Sequence, residues 1–162
     1  FKTRFGVHTA EVAVGNFGST DRLYYGAIGD GINATSRLEG LNKYYGTTIL
    51  ISESTFQLIG DHFCTRRVDR VAVKGKQKPM TVYELLGDET LGVTDKAWVN
   101  RWEAAFDAYI AGDFERSAVQ FSRLLSDRPT DTPSKLLMDR SEAFTREPPP
   151  KPWDGVHKMS QK

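Results

Sequence analysis

The strand signal in this 162-residue chain stops near Gly87 and does not return. Before that point, short β-branched stretches alternate with helical ones. Beyond it, the apolar residues recur at helical spacing. Such a chain is confined to a mixed α/β or α+β unit followed by a helical one. In the first part, Arg4–Phe17 leans to strand through Phe5, Val7, Val12 and Val14, and residues 15–21 read as a turn. Arg22–Ile28 is a short strand broken by Gly29-Asp30-Gly31. Ile32–Lys43 follows as a helix, with Ile32, Ser36, Leu38 and Leu41 near one face. Thr47–Ser52 is a strand, and Ser52-Glu53-Ser54-Thr55 caps a short helix through Ile59. Phe63–Val73 and Met80–Leu86 are two further strands joined by the turn Lys74–Pro79.

Residues 88–95 read as a polar linker. Trp98–Ile110 and Phe114–Ser126 then form two amphipathic helices, whose stripe comprises Phe106, Tyr109, Phe114, Ala118, Phe121, Leu124 and Leu125. Pro129 stops the second helix, and Thr132-Pro133-Ser134 starts a third, so that 96–146 is a helical segment. Tyr109, Gly112-Asp113-Phe114, Ala118, Phe121, Leu125 and Pro129 are similar to one tetratricopeptide unit. One such unit cannot bury its own apolar face, so docking onto the first domain, in the same chain, is expected. Residues 147–162 form a Pro-rich tail with Trp153 as its apolar anchor.

Lys and Arg total 22 against 21 Asp and Glu, a net charge of +1. That balance supplies no field for nucleic acid or an anionic membrane. One cysteine, Cys64, excludes an internal disulfide. The three histidines (His8, His62 and His157) lack metal-ligand spacing. No apolar run approaches a membrane span, and the default setting is the reducing cytoplasm. The chain enters strand at Phe1 without a polar lead-in, and is expected to begin inside a fold.

Two stretches carry candidate chemistry. Asn33 and Arg37 lie four apart on a helix and share a face. They sit in its first turns, where free backbone N–H groups favour an anion. A guanidinium can grip phosphate in a bidentate manner, and an amide can orient a sugar. Val73-Lys74-Gly75-Lys76 is a second cationic site at a tight turn. Each has a plainer alternative: a solvated surface charge, or a basic hairpin loop. There is no P-loop, and Gly26, Gly29 and Gly31 do not satisfy the dinucleotide fingerprint. His8 reads as structural, and Asp30 as an N-cap.

Residues 4–19, Arg4-Phe5-Gly6-Val7-His8 through Gly15-Asn16-Phe17-Gly18-Ser19, resemble a strand motif of class III nucleotidyl cyclases. Ile28-Gly29-Asp30-Gly31-Ile32-Asn33 through Arg37-Leu38-Glu39 resembles that family's central helix. Val68-Asp69-Arg70-Val71-Ala72-Val73-Lys74-Gly75-Lys76 through Val82-Tyr83-Glu84-Leu85 resembles its closing strands. The end of the chain is similar to the tails of bacterial membrane-anchored cyclases. The resemblance implies an α+β, ferredoxin-like cyclase fold over 1–87, truncated at its N-terminus and followed by the helical segment. It implies cyclisation of ATP to cyclic AMP and pyrophosphate, two Mg2+ or Mn2+ ions, and a head-to-tail homodimer. By position, Asn33 would orient the ribose, Arg37 would stabilise charge on the α-phosphate, and Lys74 would hold the outer phosphates.

Two departures qualify what the resemblance implies. The family's two metal-binding aspartates and its base-reading lysine belong upstream of the matching segment. The chain alone is therefore expected to be inactive, with no metal ligands of its own. Gly26 stands where family members carry a purine-reading side chain. Adenine over guanine then rests on the likeness of the tail. The alternatives are a guanylate cyclase, or a non-catalytic cyclase-like domain that dimerises or regulates through a protein-binding tail.

Overall fold

Leu38, Leu50, Val68, Val71 and Val82 are each wholly buried, and together with Tyr45 they form one apolar core. They come from four elements that the sequence pattern separates widely. The computed structural model describes residues 3–19, 22–72, 79–88, 90 and 92–159. Its strands are β1 (Phe5–Val7), β2 (Ala13–Ser19), β3 (Arg22–Ile28), β4 (Ile49–Ser52), β5 (Phe63–Ala72), β6 (Met80–Asp88) and β7 (His157–Lys158). Its helices are α1 (Asp30–Tyr45), α2 (Glu53–Ile59), α3 (Val93–Ile110), α4 (Phe114–Asp127) and α5 (Thr132–Arg146).

Five strands make a sheet in the order β1-β4-β6-β5-β7, and β2 pairs β3 as a separate antiparallel hairpin. β1 runs parallel to β4, and β7 parallel to β5; the remaining pairs are antiparallel. The mixed α+β expectation agrees with this arrangement. The turn read at 15–21 is displaced. Residues 15–19 belong to β2, because the antiparallel register continues to Ser19 opposite Arg22. Alternation along β2 is weak, since most of its residues stay exposed on both faces. β6 runs on to Asp88 and α3 starts at Val93, so strand and helix take one and three residues from the two ends of the stretch read as linker.

The register of β5 against β6 shifts between Arg67 and Asp69, leaving Val68 as the extra residue of a bulge. In a regular strand, residues three apart point to opposite faces. The bulge cancels that alternation. Arg66 and Asp69 are consequently both buried, and both reach α5. Arg66 donates from Nε to Glu84 at 2.7 Å and from Nη1 and Nη2 to the two oxygens of Asp131 at 3.0 and 2.7 Å. Its guanidinium lies 4.3 Å from the centre of the Trp102 ring. Asp131 is also the N-cap of α5, accepting from the Ser134 backbone N–H.

The helical segment therefore packs in cis on β5. Trp98, Trp102, Phe106, Tyr109, Phe121, Leu124 and Leu137 bury one another in a second core, with Cys64 and Leu86 of the sheet against it. The buried stripe of α4 passes through Ser117, not Ala118: Ser117 is wholly buried, within 3.1 Å of the Ser141 hydroxyl. Small hydroxyls at this crossing let the helices approach closely while remaining hydrogen-bonded. Trp153 anchors the tail, donating from Nε1 to the Tyr109 carbonyl at 3.2 Å. Beyond it, β7 pairs with Val71 and Ala72 at the edge of β5.

Burial alone pushes the Asp131 carboxyl up, but the hydrogen bonds and charge of Arg66, with Ser134, outweigh it and hold it below the usual carboxylate range. A carboxyl depressed in the folded state contributes stability that is complete above its unfolded value, about 3.9, and lost as pH falls through the folded one. Asp131→Asn is expected to cost about 2–3 kcal/mol at neutral pH. It should also flatten the loss of stability below about pH 4. Urea unfolding at stepped pH measures both.

Candidate functional site

α1 begins directly after β3, and Gly29 forms its N-cap without a side-chain capping bond. Asp30 is thus the first helical residue rather than the cap. Gly29 has φ 151°, a conformation only glycine adopts readily, and so turns the chain from strand into helix without a capping side chain. The helix presents Asn33 exposed and Arg37 half-exposed on one face. Neither side chain makes a hydrogen bond or ion pair with another of the described residues. Ile32, expected on the buried face, is 44% exposed, and the buried face runs instead through Gly31, Leu38, Asn42 and Tyr45.

That face is fixed by close contact with β1. A Cβ on Gly6 would lie 2.5 Å from the Thr35 carbonyl oxygen and the Glu39 nitrogen, so β1 crosses α1 backbone to backbone. Asn42, fully buried, then ties the two together. Its Nδ2 donates to the Phe5 carbonyl at 2.9 Å, and its Oδ1 accepts from Thr47 at 2.8 Å. Asn42 was not among the sequence candidates. An Asn on the apolar face of the helix is the signal that could have found it. His8 is structural, as read: Nδ1 lies 2.8 Å from the Ser52 hydroxyl, holding the segment after β1 against the start of α2.

Gly26 sits on β3, opposite Gly15 in the hairpin that leads into α1. A Cβ there would meet no atom within 4 Å. The strand therefore has room for a side chain at this position. Lys74 lies outside the described residues. The structure thus brings Asn33 and Arg37 together on one face, with Gly26 on the strand feeding that helix. Among the described residues, no group of three or more His, Cys, Asp or Glu side chains could hold a metal ion. No helix of the described residues is long and apolar enough to cross a membrane.

Comparison with known proteins shows the family. Residues 1–87 match the adenylate and guanylate cyclase catalytic domain. The chain belongs to that family. It is 41% identical over 87 residues to adenylate cyclase 1 of Rhizobium meliloti, covering 54% of this chain and 13% of the relative. It is 41% identical over 83 residues to an adenylate cyclase of Anabaena cylindrica, covering 49% of this chain and 16% of the relative. The terminal-differentiation-specific adenylate cyclase of Dictyostelium discoideum is 31% identical over 147 residues. That match takes in 86% of this chain and 7% of the relative, so it continues beyond residue 87 into the helical segment. The chain thus spans a small part of each of these relatives. Among solved structures, the adenylyl cyclase CyaB from P. aeruginosa is 36% identical with a TM-score of 0.46, over 54% of this chain and 44% of that one.

The β1–α1 contact makes opposite forecasts for two glycines. Gly6→Ala drives a methyl into backbone atoms and is expected to cost about 1–3 kcal/mol. Gly40→Ala, on α1 with nothing within 4 Å of the added methyl, should stabilise by about 0.5–1 kcal/mol. Chemical denaturation of both variants checks the signs.

Proposed function

We propose that this chain carries the transition-state side of an adenylate cyclase site. In the reaction, the ATP 3′-oxygen bonds to the α-phosphorus and gives up its proton, and the bond to the pyrophosphate oxygen breaks. Cyclic AMP and pyrophosphate result. The observation that carries this reading is the pairing on one face of α1 of an exposed amide and a guanidinium with no ion pair among the described residues, within the segment that matches the family. A guanidinium without a protein carboxylate partner keeps its donors for phosphate oxygens. Charge develops on the α-phosphate as the bond breaks, and positioned cations supply most of the stabilisation in phosphoryl transfer.

In this reading Arg37 meets the α-phosphate, Asn33 orients the ribose, and Lys74 holds the outer phosphates. Lys74 binds groups that are charged before and after the transition state alike. Divalent ions, Mg2+ or Mn2+, would lower the cost of ionising the 3′-hydroxyl when bound; the described residues offer no carboxylate cluster to hold them. The site closes across a head-to-tail homodimer. Leu23, Tyr24 and Tyr25 support that arrangement, since they leave the β2–β3 hairpin 65%, 61% and 78% exposed, an apolar surface of the kind a partner covers. ATP is preferred to GTP because the named relatives above are adenylate cyclases. The open space at Gly26 favours a second reading, weak discrimination between the two purines. The cyclase would work in the cytoplasm, on a protein whose other segments meet the inner membrane, with the helical segment as a tetratricopeptide-like appendage.

In the full-length protein, Arg37→Ala is expected to lower kcat by roughly 10²–10³ with a smaller change in KM, and Asn33→Ala to behave similarly. Lys74→Ala should raise KM for ATP more than it lowers kcat. Steady-state cyclic AMP formation measures all three. Wild-type kcat in both α1 variants would leave the non-catalytic, dimerising role instead. The isolated 162-residue chain should yield no cyclic AMP or cyclic GMP with either metal.

A further inference from the structure

We propose that Arg140, on α5 and outside the residues matched by the cyclase family, is a positioning residue for the helix that carries Asn33 and Arg37. The inference rests on the function proposed above for those two side chains. Asp69 is wholly buried on β5, and its carboxylate gathers donors from three elements. Oδ2 accepts from the Tyr45 hydroxyl at 2.8 Å and from Arg140 Nη1 at 2.8 Å, and Oδ1 accepts from the Arg70 backbone N–H at 2.8 Å. Tyr45 is the last residue of α1. Arg140 also donates to the Tyr109 hydroxyl of α3 at 3.2 Å. One buried carboxylate oxygen therefore joins the end of the catalytic helix to the middle of α5.

A second contact lies one residue on. α1 ends at Gly46, φ 70°, and a Cβ there would come within 2.5 Å of the Thr132 hydroxyl at the start of α5. α5 thus meets the C-terminal end of α1 directly at Gly46 and through the Asp69 carboxylate, while Gly6 and Asn42 hold the helix to β1. A rigid helix held at its middle and far end has its first turns fixed in direction. A displacement of about 1 Å at a catalytic group far from the altered residue can cost on the order of 100-fold in rate. The charge of Arg140 is what makes the far anchor stiff. Without it the buried Asp69 carboxylate keeps a neutral hydroxyl and a backbone N–H, and must draw in water or shift.

The test is a double-mutant cycle in the full-length protein, assayed as cyclic AMP formed from ATP with Mn2+. Arg140→Met and Tyr45→Phe are each combined with Arg37→Ala, and rates are referred to folded protein by near-ultraviolet circular dichroism. Arg140→Met is expected to lower kcat about 10-fold or more, with KM for ATP within about two-fold. Arg140→Lys should recover part of that loss, because it restores the charge. Tyr45→Phe, which deletes one hydroxyl, should lower kcat about five-fold. Neither loss should persist in the Arg37→Ala background, since a residue that acts by placing Arg37 has nothing left to place. Equal losses with and without Arg37 would overturn the proposal, as would unchanged kcat in both single variants. Should Arg140→Met fail to fold, Tyr45→Phe alone decides. If Arg37→Ala itself leaves kcat at the wild-type value, the function assigned to α1 fails, a result separate from the coupling.

Discussion

Two charges buried on one strand organise this molecule. Arg66 and Asp69 of β5 lie away from water, and a buried ion left without its partner costs on the order of 3–5 kcal/mol. That is a large fraction of the roughly 5–15 kcal/mol by which a domain is stable. Each has a partner on α5, Asp131 at its N-cap for Arg66 and Arg140 within it for Asp69, while Arg66 also pairs with Glu84 of β6. Without the docked helix Asp69 loses its charged partner and Arg66 keeps only Glu84, and a helix docked elsewhere leaves Asp131 and Arg140 unmatched. Apolar contact between the two cores supplies area. The ion pairs supply direction and register, which non-directional burial cannot. The cyclase segment and the helical segment consequently share one interface, with charges of opposite sign interleaved across it.

Much of this was visible beforehand, and the failures have definite causes. α4 and α5 are readable because their apolar spacing and capping residues agree. The Thr132-Pro133-Ser134 start, for example, carries a first-turn proline, and the structure places the N-cap one residue earlier, at Asp131. The expected docking of the helices in cis followed from counting what a unit of two or three helices can bury. Hydrophobicity puts Ala118 in the apolar stripe, whereas the crossing selects Ser117 for its small size and shared hydroxyl bond. Asp69 and Arg66 were invisible as a pair. Their spacing of three puts them on opposite faces of an ideal strand, and a one-residue bulge is not written in hydrophobic periodicity.

The functional residues divide in the same manner. Asn33 and Arg37, the residues proposed to act, can be picked out from helical spacing and motif, because they stand at the surface and no described residue pairs with them. The residues that hold their helix in place, Gly6, Asn42 and Tyr45, could not. Their roles depend on backbone contacts with β1 and on a carboxylate 24 residues from Tyr45. Groups that meet a ligand are marked by residue type, and groups that position them are marked by packing, which a single sequence does not display.

The three tryptophans of the chain, at 98, 102 and 153, all fall in the helical segment and tail. Trp98 and Trp102 stack on each other, and the Arg66 guanidinium of β5 sits over both rings. Trp102 further donates from its indole nitrogen to the Arg67 carbonyl at 2.6 Å. Two of the three tryptophans are therefore seated on the sheet while belonging to the helices. Their emission is an internal gauge of the junction: undocking would replace a buried cation and a carbonyl with water around the indoles, before any strand of the cyclase segment had separated from its neighbour.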